Sequence, residues 1–275
     1  MIRLRQPDPA ERSVDLDGSF NARDAAGLAT TDGCRFVRGR LLRSGSLGGL
    51  TDDGRARLRS LGVTTVLDLR TDAERSAAPD ALVGSGATAV PVPMLAGAVA
   101  SMTDVPALDE LYCRLLDDEP TAVADAVRVV AHAGTEGVLV HCSAGKDRTG
   151  VVVALLLTVL GVPTATVLDH YAATETFLPD SFGQAAQELV AQLAGSGEHL
   201  DGDRVLELAT RSPRAAMERA LQHLQETHGG AEAYLRSAGL ADADLGALRH
   251  RMLDRAACCA SPRARGRASD GGPAG

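Results

Sequence analysis

Cys142 and Arg148 are separated by five residues in His141-Cys142-Ser143-Ala144-Gly145-Lys146-Asp147-Arg148-Thr149-Gly150, and this pairing at this spacing suggests a nucleophile held inside an anion trap. Residues 138–141 form a short apolar run and residues 151–160 a longer one, so the segment reads as strand, turn and helix. The backbone amides of such a turn converge on the helix N-terminus, where anions bind. Small residues at Ser143, Ala144 and Gly145 allow the backbone to wrap a tetrahedral oxyanion, and Arg148 offers a planar fork to two of its oxygens. Amide dipoles and cations around a cysteine favour the thiolate, which is the attacking form.

The neighbouring residues take narrower roles. Thr149 is placed to donate a hydroxyl hydrogen bond to the sulfur, although a first-turn cap is equally compatible. His141 precedes Cys142 on a strand, where successive side chains point to opposite faces, so its expected work is to orient the loop rather than to act as a base. Of 28 lysines and arginines, only Lys146 is a lysine. A compact ammonium there is expected to reach a further phosphate or an acidic group where a guanidinium would crowd the pocket. A nucleotide-binding P-loop is excluded, because Gly145-Lys146 is followed by Asp147 rather than Ser or Thr and Val140 stands at the earlier glycine position.

His-Cys, five residues, Arg, Thr resembles the shared loop of the protein tyrosine phosphatase superfamily, and Ala-Gly-Lys-Asp-Arg-Thr-Gly is similar to bacterial tyrosine and phosphoinositide phosphatases within it. Asn21-Ala22-Arg23-Asp24, Leu42-Arg43-Ser44, Asp68-Leu69-Arg70 and Ala233-Tyr234-Leu235 resemble segments of that family in the same order, covering residues 15–253. The resemblance implies a cysteine-dependent phosphomonoester phosphatase acting on phosphotyrosine, with phosphoserine, phosphothreonine or phosphoinositides as further substrates. Cys142 would attack phosphorus in line to give a thiophosphate that water then hydrolyses. Amides of residues 143–148 and the Arg148 guanidinium would hold the equatorial oxygens. Arg23, Asp24, Arg43 and Asp68 are carried over as supporting residues. Sulfur transferases and arsenate reductases also use a loop cysteine, but the Cys-to-Arg spacing and Lys146-Asp147 favour phosphate ester hydrolysis.

A general acid must protonate the leaving oxygen, and here the chain departs from the family. The relatives carry an aspartate just after a strand ending in a Pro-x-Pro-like turn; this sequence has Met94. Asp147, Asp104 and Asp109 are the remaining carboxyls, and Asp147 is the choice because it lies beside the transferring phosphoryl group. The departure also motivates an alternative, a catalytically impaired phosphate-binding module that keeps the loop without completing turnover.

The 275 residues, 45% hydrophobic, suffice for one core. A net charge of −8 argues against nucleic acid and anionic membrane as partners, so a phosphorylated protein or phosphoinositide must be drawn by local cations. Five cysteines without framework spacing suggest a reducing, cytoplasmic setting, with Cys34, Cys113, Cys258 and Cys259 incidental. Seven histidines show no ligand spacing, so neither a metal nor another cofactor is expected. No secretory signal is visible in residues 1–13, and the longest apolar run falls short of the about 20 residues that span a membrane.

The elements that position the loop follow from periodicity. Residues 35–43 read as two short edge strands joined at Gly39. Residues 63–69 and 87–92 read as strands, with Asp68 and Arg70 at the C-terminal edge where α/β sheets bind ligands. Helical spacing covers 51–61, 108–117, 121–132, 151–160, 164–177, 180–193, 213–227, 231–237 and 241–253. The expectation is a single α/β domain over 15–254, with a central, mostly parallel sheet flanked by helices and a helix-rich C-terminal half. A flexible arm at 1–14, a helical lid around 104–132 and a disordered tail at 255–275 complete it.

Overall fold

The computed structural model describes residues 6–8, 10–94, 106–196 and 201–254. Its main sheet has five strands: β1 (Arg23–Asp24), β3 (Leu41–Ser44), β4 (Val63–Asp68), β5 (Thr88–Pro91) and β6 (Gly137–His141), in the order β1-β3-β6-β4-β5. β3, β6, β4 and β5 are parallel, and β1 runs antiparallel at the edge. β6 is central, as its continuous apolar run requires, since a strand covered on both faces has no polar side to show. The register brings Ser44, His141 and Asp68 into one row, so Gly45, Cys142 and Leu69 emerge together at the C-terminal edge.

Alternation along the strands separates two cores. Leu41, Leu67, Val138 and Val140 face a large helical layer, whereas Leu42, Val63, Val66 and Leu139 face a smaller cluster with Val14, Leu16, Leu47, Leu50 and Leu58. The smaller side is covered by α1 (Asp52–Ser60), and α2 (Asp72–Ala77) follows β4. The larger side holds α3 (Leu108–Asp118), α4 (Pro120–His132), α5 (Asp147–Val159) and α6 (Thr164–Ala172). It continues through α7 (Thr174–Phe177), α8 (Ser181–Ser196), α9 (Gly202–Thr210), α10 (Arg214–His228), α11 (Ala231–Ser237) and α12 (Asp242–Met252). α5 is apolar on nearly every side and is enclosed by α3, α4, α6, α11 and the sheet, which fixes the helix that follows the catalytic loop.

Several expectations are corrected. Residues 35–43 do not form a hairpin: β2 (Arg35–Phe36) pairs with β7 (Leu253–Asp254) in a separate sheet, while β3 is fully buried beside β6. The turn between them is made at Gly39 with φ +74°, and Asp24 Oδ2 accepts its amide. Residues 10–14, assigned to a loose arm, are packed: Arg12 and Val14 are buried and Ser13 bridges Arg23. The segment 104–132 is no lid from residue 106 onward, because α3 and α4 bury Leu111, Tyr112, Leu115, Val123, Val127 and Val130 in the main core. α2 and α9 were not foreseen from periodicity, and the 164–177 helix breaks at Ala173. Asp104, Cys258, Cys259 and the 255–275 tail lie outside the described residues.

Cys34 is disulfide-bonded and so is not incidental. Among the described residues no helix is long and apolar enough to cross a membrane.

Candidate active site

The shape of the 142–148 loop is set by where its carbonyls go. The Ser143 carbonyl accepts from the Ser46 amide at 3.0 Å, and those of Ala144 and Gly145 accept from Asn21 Nδ2 at 3.1 and 3.0 Å. Arg43 Nη2 also donates to the Gly145 carbonyl at 2.5 Å, and the Lys146 carbonyl accepts from Gly150 N inside α5. With the carbonyls drawn outward, the amides on the other sides of those peptide units turn inward. Among the described residues, none of the amides of residues 143–148 has a protein acceptor. This convergence of unused N–H groups at a helix start is the physical form of an oxyanion trap.

Two backbone positions make the wrap feasible. Gly145 has φ +66°, and a Cβ there would lie 2.1 Å from the Ser44 carbonyl, so no other residue fits. Asn21 is the one non-glycine residue with positive φ among the described residues, at 57°, and this left-handed turn aims its amide at the loop.

Cys142 sits inside the trap, 2% exposed. Behind it, His141 Nδ1 lies 3.3 Å from the Cys142 carbonyl and Nε2 lies 3.1 Å from Asp80 Oδ2, without the alignment of a hydrogen bond. His141 therefore touches the loop backbone, not the sulfur. The Thr149 hydroxyl is buried and has no hydrogen-bond partner, so the expected donation to sulfur is not made in this structure.

Arg148 is anchored by a residue the sequence reading missed. Glu74, on α2, accepts from Nη1 through Oε2 and from Nη2 through Oε1, both at 2.7 Å, and Ser143 Oγ donates to Glu74 Oε1 at 2.7 Å. Glu74 is itself locked by a capping box: Thr71 N donates to Oε2, and Glu74 N donates to Thr71 Oγ1. The remaining Nη1 hydrogen is directed toward the Leu69 and Met94 carbonyls. Of five guanidinium donors, those left over are Nε–H and one Nη2–H, a free edge suited to two phosphate oxygens. Burial opposes ionisation of Glu74, but the hydrogen bonds from Arg148 prevail and hold its carboxyl at about 2; the same pairing keeps Arg148 firmly cationic despite its own burial. The signal for Glu74 was its place three residues after Thr71, the signature of a helix start.

Asp147 begins α5 beside the loop. Its Oδ1 accepts from Tyr112 OH at 2.8 Å and lies 3.3 Å from Lys146 Nζ, leaving Oδ2 without these partners. Tyr112, also unforeseen, meets the Tyr171 hydroxyl at 2.6 Å, and the rings pack edge to face. Burial, reinforced for both by the Asp147 charge, raises the two phenols, so both keep their protons. Asp109 is exposed at the start of α3 and Met94 is wholly buried in the core.

Of the two partners expected for Lys146, the structure shows the acidic group and not the second phosphate. The ammonium is buried and donates to the Leu208 and Arg211 carbonyls, while facing Asp147 Oδ1. Its three donors are thus committed to the end of α9 and to Asp147, not offered to a second phosphate. Three separately directed oxygens suit a tetrahedral ammonium and not a flat guanidinium, which explains the lone lysine.

Asp68 accepts from Arg70 N, Nε and Nη2, and Arg70 also bonds Asp80 Oδ1 at 2.8 Å. Burial would raise the Asp68 carboxyl, but Arg70 outweighs it and holds it low. Asp68, Asp80 and His141 are the described trio whose ligand atoms approach within 4.8 Å, and Arg70 pairs with both of its carboxylates. Arg23 stands one step behind the loop, bonded to Asn21 Oδ1, whereas Asp24 faces away and accepts from the amides of Ala26 and Gly39.

Comparison with known proteins agrees with this geometry. The profile described as "Tyrosine phosphatase family" matches residues 14–254. A tyrosine-protein phosphatase of Nostoc commune is 33% identical over 218 residues, covering 77% of this chain and 73% of its own length. The triple specificity protein phosphatase PtpB of Mycobacterium tuberculosis is 30% identical over 279 residues, covering 87% and 98%.

Proposed function

Because this chain belongs to the tyrosine phosphatase family and is a phosphoric monoester hydrolase of that type, we propose that it removes phosphate from phosphotyrosine in proteins, with phosphoserine, phosphothreonine and phosphoinositides as further substrates. The observation that carries the reading is the set of unused loop amides and the free Nε/Nη2 edge of Arg148 gathered around buried Cys142. The wider substrate range is supported by the likeness to PtpB, whose name describes three specificities.

In the first step the Cys142 thiolate attacks phosphorus in line, the phosphorus–oxygen bond to the leaving group breaks, and a thiophosphate forms. The loop amides and Arg148 hold the three equatorial oxygens through a loose transition state, so catalysis is chiefly positioning and electrostatics. Asp147 supplies the proton to the leaving oxygen. Tyr112 and Lys146 hold Oδ1, so Oδ2 is the oxygen that carries the proton. In the second step water attacks the thiophosphate, Asp147 accepts the water's proton, and sulfur leaves as thiolate.

The test is phosphate release from matched phosphotyrosine, phosphoserine and phosphothreonine peptides and from phosphoinositide vesicles. Release from the phosphotyrosine peptide by wild type, abolished in Cys142→Ser, is the expected result. Capture of phosphopeptide without release from any substrate would replace this reading with a phosphate-binding module.

A further inference from the structure

Arg23 and Arg43 are directly opposed on β1 and β3 and therefore share one face of the sheet. Both are almost wholly buried. Arg23 bonds Asn21 Oδ1, Thr174 Oγ1 at 3.1 Å and the His170 carbonyl at 3.4 Å, and its guanidinium lies 4.6 Å from the centre of the Phe177 ring. Arg43 bonds the Gly145 carbonyl, Thr174 Oγ1 at 3.4 Å and, at 3.5 Å, His170 Nδ1. Every one of these partners is neutral. Arg23 Nε, Arg43 Nε and His170 Nε2 have no partner at all.

Buried cations are ordinarily matched to carboxylates, and like charges directly opposite one another on a sheet destabilise it. His170 provides no relief: burial, then Arg43, Arg23 and Arg12, hold its imidazole neutral. The nearest carboxylate in sequence, Asp24, is committed to backbone amides on the other face. Besides Arg23 and His170, the titratable groups that act on Arg43 are Cys142, Tyr171, Tyr112 and Arg12, and the two tyrosines keep their protons. Burial lowers the Arg43 guanidinium to about 10, so it remains a cation at neutral pH.

Resting on the reading of Cys142 as the thiolate nucleophile, we infer that Arg23 and Arg43 are positioning residues for the anionic state of the pocket: a second tier of buried positive charge whose counter-ions are the Cys142 thiolate and the bound phosphate. The connection is a peptide unit. Arg43 holds the Gly145 carbonyl, whose peptide partner is the Lys146 N–H on the opposite, inward side, so the guanidinium both orients that dipole and adds its charge behind it. The ligand-free fold carries the repulsion of the pair, and an anion in front of the loop relieves it.

The experiment compares wild type, Arg43→Gln and Arg23→Met for inhibition by inorganic phosphate, for iodoacetamide alkylation of Cys142 across pH, and for thermal midpoint with and without phosphate. Phosphate inhibition constants should rise roughly ten-fold, the Coulombic scale for removing one buried charge behind the loop at an effective dielectric near 20. Alkylation should shift to higher pH, the anion-free midpoint should hold or rise, and the phosphate-induced gain in midpoint should shrink. Folded variants with a lower midpoint but unchanged phosphate inhibition and alkylation would overturn the inference and leave the arginines a structural role. Arg23→Met keeps the test open if Arg43→Gln does not fold, since Arg23 makes no hydrogen bond to a loop carbonyl. Phosphate binding is also measured in Cys142→Ser with and without Arg43→Gln. If wild type neither releases phosphate nor alkylates at Cys142, the nucleophile reading fails; a ten-fold dependence on Arg43 in the serine background would still uphold the charge pair, and its absence there would sink the pair alone.

Discussion

Two groups of buried arginines flank the catalytic loop. On the β4–α2 side, Arg148 is paired with Glu74, and Arg70 with Asp68 and Asp80, so each cation has its carboxylate. On the β1–β3 side, Arg23 and Arg43 meet carbonyls, hydroxyls and a neutral ring. The first side is electrostatically complete without a ligand and so fixes geometry. The second is complete only when an anion occupies the loop, and so supplies attraction. One half of the shell thus holds its arginines with its own carboxylates, and the other leaves its positive charge to be balanced by the anion in the loop.

Cys142→Ser tests the point where the two halves meet, because it removes the resident anion. Phosphate release should vanish, while phosphopeptide capture, measured by calorimetry, persists. Steady turnover near the wild-type rate would break both the comparison and the covalent mechanism.

Asp147→Asn should slow substrates with poor leaving groups by roughly 10²- to 10⁴-fold and nearly spare activated aryl phosphates, the usual reach of acid catalysis. A leaving-group series measures this, and Tyr112→Phe should steepen the same series to a smaller degree. Parallel lines for wild type and Asp147→Asn would assign the proton to another group.

Arg148→Lys keeps the charge of the paired side but loses its fork, and kcat should fall by about 10²- to 10³-fold, the range seen when one transition-state donor is lost. Glu74→Gln leaves Arg148 in place with a weaker anchor, and kcat should drop about ten- to a hundred-fold, matching a charged hydrogen bond of about 1.5–3 kcal/mol. Its pH signature is distinct. The Glu74 carboxyl is held at about 2 against an ordinary 4.5, so its ionised pairing stabilises the fold above 4.5 and is lost as pH falls through 2. Thermal midpoints between those values should therefore fall less steeply in Glu74→Gln than in wild type.

Lys146→Ala should give the smallest and least selective effect. Its ammonium is tied to the end of α9, so kcat/KM for phosphotyrosine peptides and phosphoinositides should decline together. A selective loss on phosphoinositides would return this lysine to direct headgroup contact.

The loop, its central strand and the apolar helix behind it were legible because each is a contiguous pattern: an apolar run, small residues, an apolar run. Asp68 at the strand end was legible for the same reason. Glu74 was not, because α2 is short and buries no residue, so it leaves no periodicity. Asn21 was visible only as part of a motif; its contact with Gly145 spans 124 residues, and only the folded topology reveals it. Lys146 was read correctly as unusual and wrongly as facing the ligand, since direction depends on Leu208 and Arg211, and α9 had not been foreseen. Residues 35–43 misled because their irregular polarity suits an edge, while Leu41 and Leu42 are buried beside the centre.

The carbonyl anchors of the loop also determine when the protein acquires its chemistry. Asn21 and Arg43 are synthesised well before Gly145, but the lysine at 146 must wait for Leu208 and Arg211, 62 and 65 residues further along. On a ribosome adding about 5–20 residues per second, a chain that has just completed its nucleophile remains for several seconds without the segment that receives this lysine. A nascent chain ending before Leu208 would hold its thiol in an unfinished cradle, so cysteine reactivity during synthesis would report assembly of the C-terminal half rather than appearance of the motif itself.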